Sequence, residues 1–285
     1  MSYTPAFLAG ASPAFRLTFR RGERSGLTCG STATSTGFRL LAFPPGGISK
    51  RLPNARSTVN GQVFKVDGET LIACAMNVDE KLLIVDLGGN VRAELTRPTG
   101  TEFTYPEANE YYTRVSRGVR EMGFEPSKVF SCTDVTYLDG RLYVVAGYCP
   151  GDFVVTASRD TDGKWAWGPI AWGGKGDGPG RFRTAHGISA IGGSIYVANR
   201  EAHQVCRFDP SGRYLGTIPS IPDGSRVCNI SRAEADGCFI LNALEPVAQA
   251  QLSAPIYAHS GSSLISTIVP GDLGIPKLRH ERRRR

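Results

Sequence analysis

Four histidines, His186, His203, His259 and His280, carry most of the chain's capacity for metal or acid–base chemistry. A neutral imidazole is both a metal ligand and a base that works near neutral pH. His186 is the sharpest candidate, because it opens a strand directly after a glycine-rich loop. Aligning the chain's repeats on their turns brings Asn60, Thr133 and Asn229 to the same strand-start position as His186. These are small polar or ligand-capable groups where Val or Leu would normally stand. A ring of them at the mouth of a channel could bind a metal, an anion or a substrate carbonyl. The same side chains can instead hydrogen-bond the ends of the backbone, and a lone His can be purely structural. His203 is expected on a loop between strands and His259 on an outer hairpin turn, both at the surface. Asp134 is a candidate for calcium. No Gly-x-Ser-x-Gly elbow, phosphate loop, His-Glu-x-x-His or Cys-x-x-Cys motif occurs, which removes the usual signatures of those chemistries.

The elements that must position these residues read as strands. In residues 172–218, five glycines between Gly173 and Gly180 make a loop too flexible for helix or strand. Short strands follow at 186–190, 194–199, 205–208 and 214–218, with turns at Gly192-Gly193 and Pro210-Ser211-Gly212. The segment Ser-Ile-Tyr-Val-Ala-Asn alternates and is rich in β-branched and aromatic residues. Four short antiparallel strands in about 40 residues is the size of one propeller blade. A second unit has strands at 60–66, 70–75, 81–86 and 91–95. A third has strands at 133–138, 142–146 and 152–156, followed by Trp165, Trp167 and Trp172 as packing between blades. A fifth runs from 227 to about 269. Residues 37–53 mirror an outer hairpin, while 13–36 should supply the inner strands of that first blade.

This reading predicts an all-β chain: a β-propeller of four-stranded antiparallel blades with five recognisable repeats. The expected organisation is an N-terminal extension at 1–12, the propeller at 13–272 with an insertion at 98–127, and a basic tail at 273–285. The 285 residues are enough for a sizeable core. The 34 Gly and 18 Pro, spread along the chain, suit many turns. Of the net charge of +7, residues 279–285 hold five Arg and one Glu, hence +4. Such a tail reads first as solvated chain, with nucleic acid as a secondary partner. No apolar run is long enough to span a membrane. Seven Cys leave an odd thiol, and no convincing signal peptide opens the chain. The expectation is a soluble cytoplasmic protein, with secretion as the alternative.

Residues 172–218 also resemble an NHL repeat, from the Gly-rich lead through His-Gly, Ile-Tyr-Val-Ala-Asn and Phe-Asp-Pro-x-Gly. Residues 130–218 resemble the peptidyl-hydroxyglycine α-amidating lyases (peptidylamidoglycolate lyases) and their bacterial NHL relatives. The matching pieces are Phe-Ser-Cys-Thr-Asp-Val at 130–135, Ala-Gly-Tyr-Cys at 146–149, Gly-Pro-Gly-Arg-Phe-Arg-Thr-Ala-His-Gly at 178–187 and Val-Ala-Asn-Arg-Glu-Ala-His-Gln-Val-Cys-Arg-Phe at 197–208. The resemblance implies a six-bladed propeller holding zinc by three His from three blades. A Tyr and an Arg beside the metal then release glyoxylate and a peptide amide. It makes His186 a zinc ligand and Tyr148 the active-site Tyr. It pairs Cys132 with Cys149 as a disulfide buttressing the Tyr loop, or as a close thiol pair in a reducing compartment.

Departures from that pattern matter as much. Asn60 stands where a second zinc His is expected, and Asn is a poor ligand. The third His belongs to a sixth blade, where this chain runs into its Arg-rich tail. No motif for the family's Arg stands out among Arg16, Arg20, Arg21 and Arg24. One secure ligand is worth little, since tight zinc binding needs several donors held together. The principal reading is therefore a non-catalytic, degenerate lyase-like propeller. It would bind a peptide, protein or small-molecule ligand at its channel mouth and loop face. The alternative is a zinc-dependent lyase acting on a peptidyl-α-hydroxyglycine-like substrate.

Overall fold

A computed structural model describes residues 60–77, 79–98, 130–149, 151–219, 221–222, 224–232, 238–244 and 255–268, with the backbone of 39–42 and 48–51. The first two strands, β1 (Arg39–Ala42) and β2 (Ile48–Arg51), pair antiparallel, as the mirrored hairpin pattern predicts. The expected extension at 1–12, the inner strands sought at 13–36, the insertion at 98–127 beyond Pro98 and the basic tail lie outside the described residues.

Four complete antiparallel sheets follow in chain order. The first contains β3 (Gly61–Val66), β4 (Glu69–Met76), β5 (Lys81–Asp86) and β6 (Val91–Thr96). The second contains β7 (Cys132–Leu138), β8 (Arg141–Ala146), β9 (Phe153–Arg159) and β10 (Trp165–Gly173). The third contains β11 (Ala185–Ile191), β12 (Ser194–Asn199), β13 (Gln204–Phe208) and β14 (Tyr214–Thr217). The fourth contains β15 (Arg226–Arg232), β16 (Phe239–Leu244), β17 (Ile256–His259) and β18 (Leu264–Ile268). Each sheet is a meander, so its first strand lies at one edge and its last at the other. The first strands of successive sheets pack side by side, β3 against β7, β7 against β11 and β11 against β15. This is the blade arrangement of a β-propeller, with those four strands innermost. Five repeats were legible and six blades are implied by the resemblance; the described residues form four full blades and one hairpin.

Alternation within strands explains the stacking. Side chains on a strand point to opposite faces in turn. On β8, Leu142, Val144 and Ala146 face the first sheet, packing with Phe64, Leu71 and Ile84. Tyr143 and Val145, between them in sequence, face the third sheet and meet Phe182, Ile188 and Val197. Tyr196 and Val205 in turn pack on Val227, Leu241 and Tyr257 of the fourth. A lone four-stranded sheet would leave both such faces in water. Each large apolar side chain so buried contributes on the order of 1.5–3 kcal/mol.

The three tryptophans lie on β10, an outer strand that the sequence pattern had not resolved. Their packing role holds. Trp165 meets Phe64 edge-on at 5.7 Å between the first and second sheets. Trp172 packs on Tyr143 at 6.0 Å and on Phe208 of the third sheet at 5.6 Å. One expectation needs correcting. His259 is fully buried, with Nε2 against the Pro219 carbonyl at 2.8 Å and Nδ1 accepting the Gly261 N–H at 2.9 Å. A carbonyl can only accept, so Nε2 carries the proton, and the ring ties the β17–β18 hairpin to the preceding linker. His203 is exposed, as expected, with φ of 58°.

Candidate functional site

The four strand-start residues gather at one end of the innermost strands, and three of them bond across to the next blade. Asn60 Nδ2 donates to the Thr133 carbonyl at 3.4 Å. Thr133 Oγ1 donates to the Ala185 carbonyl at 3.2 Å. His186 Nδ1 donates to the Cys228 carbonyl at 2.8 Å. Asn229 turns its Oδ1 to the neighbouring Ile230 N–H at 2.7 Å. Further along, Gln62 accepts the Tyr137 N–H, and Thr136 accepts the Ala190 N–H. Asp134 accepts its own neighbour's N–H at Val135 and the Ile188 N–H of the next blade. Both its oxygens therefore serve backbone, which leaves the calcium idea without support from its surroundings.

The register refines the expected ring. β7 carries an irregularity between Cys132 and Asp134, and β15 carries one between Val227 and Asn229. Thr133 and Cys228 are the extra residues of these bulges. β11 is also irregular, between Ala185 and Ile188, which sets His186 level with them. The equivalent of His186 in the fourth blade is thus Cys228, and Asn229 falls one place later, level with Asp134. The blades close tightly here. A Cβ on Gly187 would stand 2.4 Å from the Cys228 carbonyl oxygen, and one on Gly147 would stand 1.9 Å from that of Ala185.

Around this end lies a cluster of chemically capable groups. Tyr148 follows β8 in a tight turn closed by the Cys149 N–H on the Gly147 carbonyl. Its ring meets His186 edge-on at 5.7 Å. Arg200, in a single 3-10 turn (Arg200–Ala202) after β12, donates from Nη1 to Tyr148 Oη at 2.5 Å. Its guanidinium carbon lies 5.1 Å from the Tyr148 ring centroid. Glu201 accepts from Arg200 Nε at 2.9 Å and lies 3.9 Å from Arg226. Below Tyr148, buried Asp152 accepts the backbone N–H groups of Thr184 at 2.5 Å and Ala185 at 2.7 Å. Asp152 and Thr184 both hold left-handed backbone, φ of 52° and 64°. For a β-branched Thr this is a genuine outlier, and such strain gathers at functional sites.

Burial governs the protonation of this cluster. It pushes His186 down to about 3, helped by the Arg200 charge and opposed by the bond to Cys228. It pushes Asp152 up to about 6, against the pull of Lys175, the two N–H groups and Arg200. Burial also lowers the Lys175 ammonium, partly offset by Asp152. Cys149 rises to about 12, and Cys132 rises well above the ordinary thiol range, by burial first and then by the charge of Cys149. Both are buried thiols here, near enough to sense one another.

The site thus brings together Tyr148, His186, Thr133, Cys132 and Cys149 from the expected set. It adds Arg200, Asp152 and Lys175, which sequence reasoning missed. A signal for Arg200 existed. Gly140 and Gly193 are 53 apart, and the same offset carries the Gly147-Tyr148 loop onto Arg200-Glu201. As for zinc, the described residues contain no group of three His, Cys, Asp or Glu side chains that could hold a metal. Only His186 offers an imidazole here, and Asn60 is bonded to backbone. Among the described residues, the donors do not make a three-histidine zinc site.

No protein-family model and no curated protein matches this sequence. Solved structures do match in shape. A complex of BBS1N with ARL6DN is 10% identical, covering 78% of this chain and 57% of that one, with a TM-score of 0.44. A catalytically inactive virginiamycin B lyase from Staphylococcus aureus with quinupristin is 9% identical, covering 78% and 70%, with a TM-score of 0.45. A functionally unknown protein from Desulfotomaculum acetoxidans is 15% identical, covering 78% and 58%, with a TM-score of 0.42. The chain spans little more than half the length of the first of these. The propeller assignment rests on the sheets themselves. Among the described residues no helix is long and apolar enough to cross a membrane.

Proposed function

We propose that this chain is a ligand-binding β-propeller, a degenerate relative of the amidating-lyase pattern. Its ligand, a peptide or small molecule bearing an oxyanion, sits where Tyr148, His186 and Arg200 meet. The observation that carries this reading is the Arg200–Tyr148–His186 contact set, built from two connections and the start of β11 at one end of the axis. Arg200 supplies the cation, Tyr148 fixes its orientation, and neutral His186 forms an uncharged wall. The strand-start ring supports binding over turnover, because Asn60, Thr133 and His186 each serve an inter-blade hydrogen bond.

A second reading, a zinc-dependent lyase, draws on one specific observation. His186 is held neutral with its proton on Nδ1, and that is the state a metal-ligating His requires at its other nitrogen. One experiment separates the two. Tag-free protein is assayed for metal content and titrated with a blocked peptidyl-α-hydroxyglycine, with and without added zinc. The binding reading expects metal-free protein, saturable binding, no glyoxylate, and affinity lost about tenfold in Arg200→Lys, which cannot reproduce a planar donor fork. About one zinc per chain, lost in His186→Ala and accompanied by glyoxylate release, replaces it with the lyase.

A further inference from the structure

The connection between β10 and β11, residues 174–184, is fastened at both ends by one buried residue. Asp152, directly before β9, accepts the Gly174 N–H on its carbonyl at 2.9 Å. Its carboxylate takes the other end, where Oδ2 accepts the Thr184 N–H at 2.5 Å and Oδ1 the Ala185 N–H at 2.7 Å. The same stretch seats the residues of the candidate site. The Thr184 carbonyl accepts the Arg200 N–H and the Arg183 carbonyl accepts the Glu201 N–H, each at 3.0 Å. Asn199 holds it as well, accepting from the Arg183 N–H at 2.7 Å and donating to the Arg181 carbonyl at 3.0 Å. Arg200 then reaches Tyr148 Oη. A path of direct hydrogen bonds therefore runs from the Asp152 carboxylate, through Thr184, to the Arg200–Tyr148 contact.

Two observations make Asp152 more than a staple. Thr184 is β-branched with φ of 64°, a conformation that persists only where the surroundings hold it. The bond from its N–H to Asp152 and the bond its carbonyl receives from Arg200 flank that strained residue. The two amides also use both oxygens of one carboxylate. A neutral carboxyl keeps one good acceptor, while its other oxygen carries a proton and faces an N–H donor. One of the two bonds then fails, and a buried amide loses its partner. The neighbouring charges set when this happens. Lys175 on the connection and Arg200 on the 3-10 turn favour the carboxylate, but burial outweighs them and raises the group to about 6. Cys149, before Asp152 in the β8–β9 connection, is pushed up to about 12, and His186 is pushed down to about 3. Arg183 pairs with Asp177 and Glu201 with Arg200, while Arg181 bonds to the Gly173 carbonyl. Between about pH 8 and about pH 5, Asp152 therefore changes charge while Cys149 and His186 do not.

We propose that Asp152 is a positioning residue that makes the mouth sensitive to protons: as a carboxylate it holds Thr184 and so seats Arg200 on Tyr148, and as a neutral carboxyl it releases Thr184 and lets Arg200 move. The consequence for ligand binding rests on the oxyanion reading above, whereas the movement itself is read without ligand. The test labels the full chain with nitrogen-15 and titrates it from about pH 8 to about pH 5. The Thr184 and Ala185 amide signals, bonded to a carboxylate at the start, are expected to move upfield with one shared midpoint at about 6. The Arg200 Nε–H signal, assigned with Arg200→Lys, should follow with the same midpoint. Lys175→Met removes a cation that favours the carboxylate, so the shared midpoint should rise, which a merely structural Asp152 would not produce. Asp152→Asn has one acceptor oxygen and one donor nitrogen at every pH, so it should abolish the midpoint and hold the Arg200 signal at its acid position. If that variant does not fold, the native chain and Lys175→Met still decide. Titration of Thr184 and Ala185 that Arg200 does not follow overturns the proposal, and so does a midpoint that stays in place in Lys175→Met or an Arg200 signal flat across the range. If these shifts are present but a blocked peptidyl-α-hydroxyglycine fails to bind at about pH 8, the proton-sensitive movement stands and the oxyanion reading alone falls.

Discussion

The two ends of this propeller use the same residue types under opposite conditions. At the axial mouth, His186, Asp152 and Cys149 are buried, and each is driven toward its uncharged form by loss of water. At the hairpin-turn face, Glu69 and Asp209 keep contact with water and are driven the other way, toward charge, by hydrogen bonds from neighbours. Backbone follows the same division. Glycines at the mouth exist because a neighbouring blade presses on them, whereas Gly163 and Gly193 exist because their turns need positive φ. The mouth is therefore a packed joint between blades lined by titratable groups, and the far face is a set of solvated turns beside a cleft.

The sharpest way to break this contrast is to add one methyl group at each end. Gly147→Ala places its Cβ 1.9 Å from the Ala185 carbonyl oxygen, which belongs to backbone and cannot step aside. It should destabilise the fold by about 3 kcal/mol or more, by overpacking. Gly163→Ala has φ of 76° and open space around it, so it carries only left-handed strain, about 1–2 kcal/mol. Urea unfolding of the two variants measures both. Equal losses would mean that the blades do not meet at Gly147 as described.

Acid sharpens the comparison further. His186 has its folded pKa depressed to about 3 from an ordinary 6.5, so its contribution is complete above 6.5 and is lost progressively as pH falls toward 3. The loss should approach about 1.4 kcal/mol per pH unit within that window. His186→Asn keeps a donor for the Cys228 carbonyl but cannot titrate. The difference in unfolding free energy between native chain and variant isolates the effect from Asp152, whose raised pKa works in the opposite sense below about 6. A difference that does not change between pH 7 and pH 4 would place His186 in water.

Much of this was legible in the sequence because the blades repeat. Period-two alternation on β8 and β12, turns at Asp67-Gly68, Asp139-Gly140 and Gly192-Gly193, and a 53-residue offset between two blades were enough to order twelve or more strands. It was the resemblance to the amidating lyases, not the offset, that put Tyr148 and His186 in one site. What stayed hidden were features that depend on contacts between blades. β15 ends at Arg232 and β16 begins only at Phe239, a longer connection than that between β7 and β8, so counting back from the turn aligned Asn229 where Cys228 belongs. β10 went unread because its Trp-Gly-Pro-Ile run breaks alternation, and the structure shows the register slipping there between Trp167 and Ala171. His259 looked like a surface turn residue because nothing local reveals that Pro219 offers it a carbonyl.

The smallest effect belongs to the far face, and it tests the solvated half of the comparison directly. Arg92 bonds to Glu69, but the two side chains are 43% and 36% exposed. Exposed pairs gain little, because water screens the charges and holding two long side chains still costs entropy. Arg92→Met should therefore shift Tm by about 2 °C or less at low salt. Whatever shift appears should fade between about 20 mM and about 1 M sodium chloride, as the screening length falls from roughly 20 Å to about 3 Å. The His186→Asn difference should keep its size over the same range, since a buried imidazole answers to lost hydration, which salt leaves in place. If salt erased both effects alike, the mouth would be as solvated as the turns, and the distinction between a packed joint and an open face would fail.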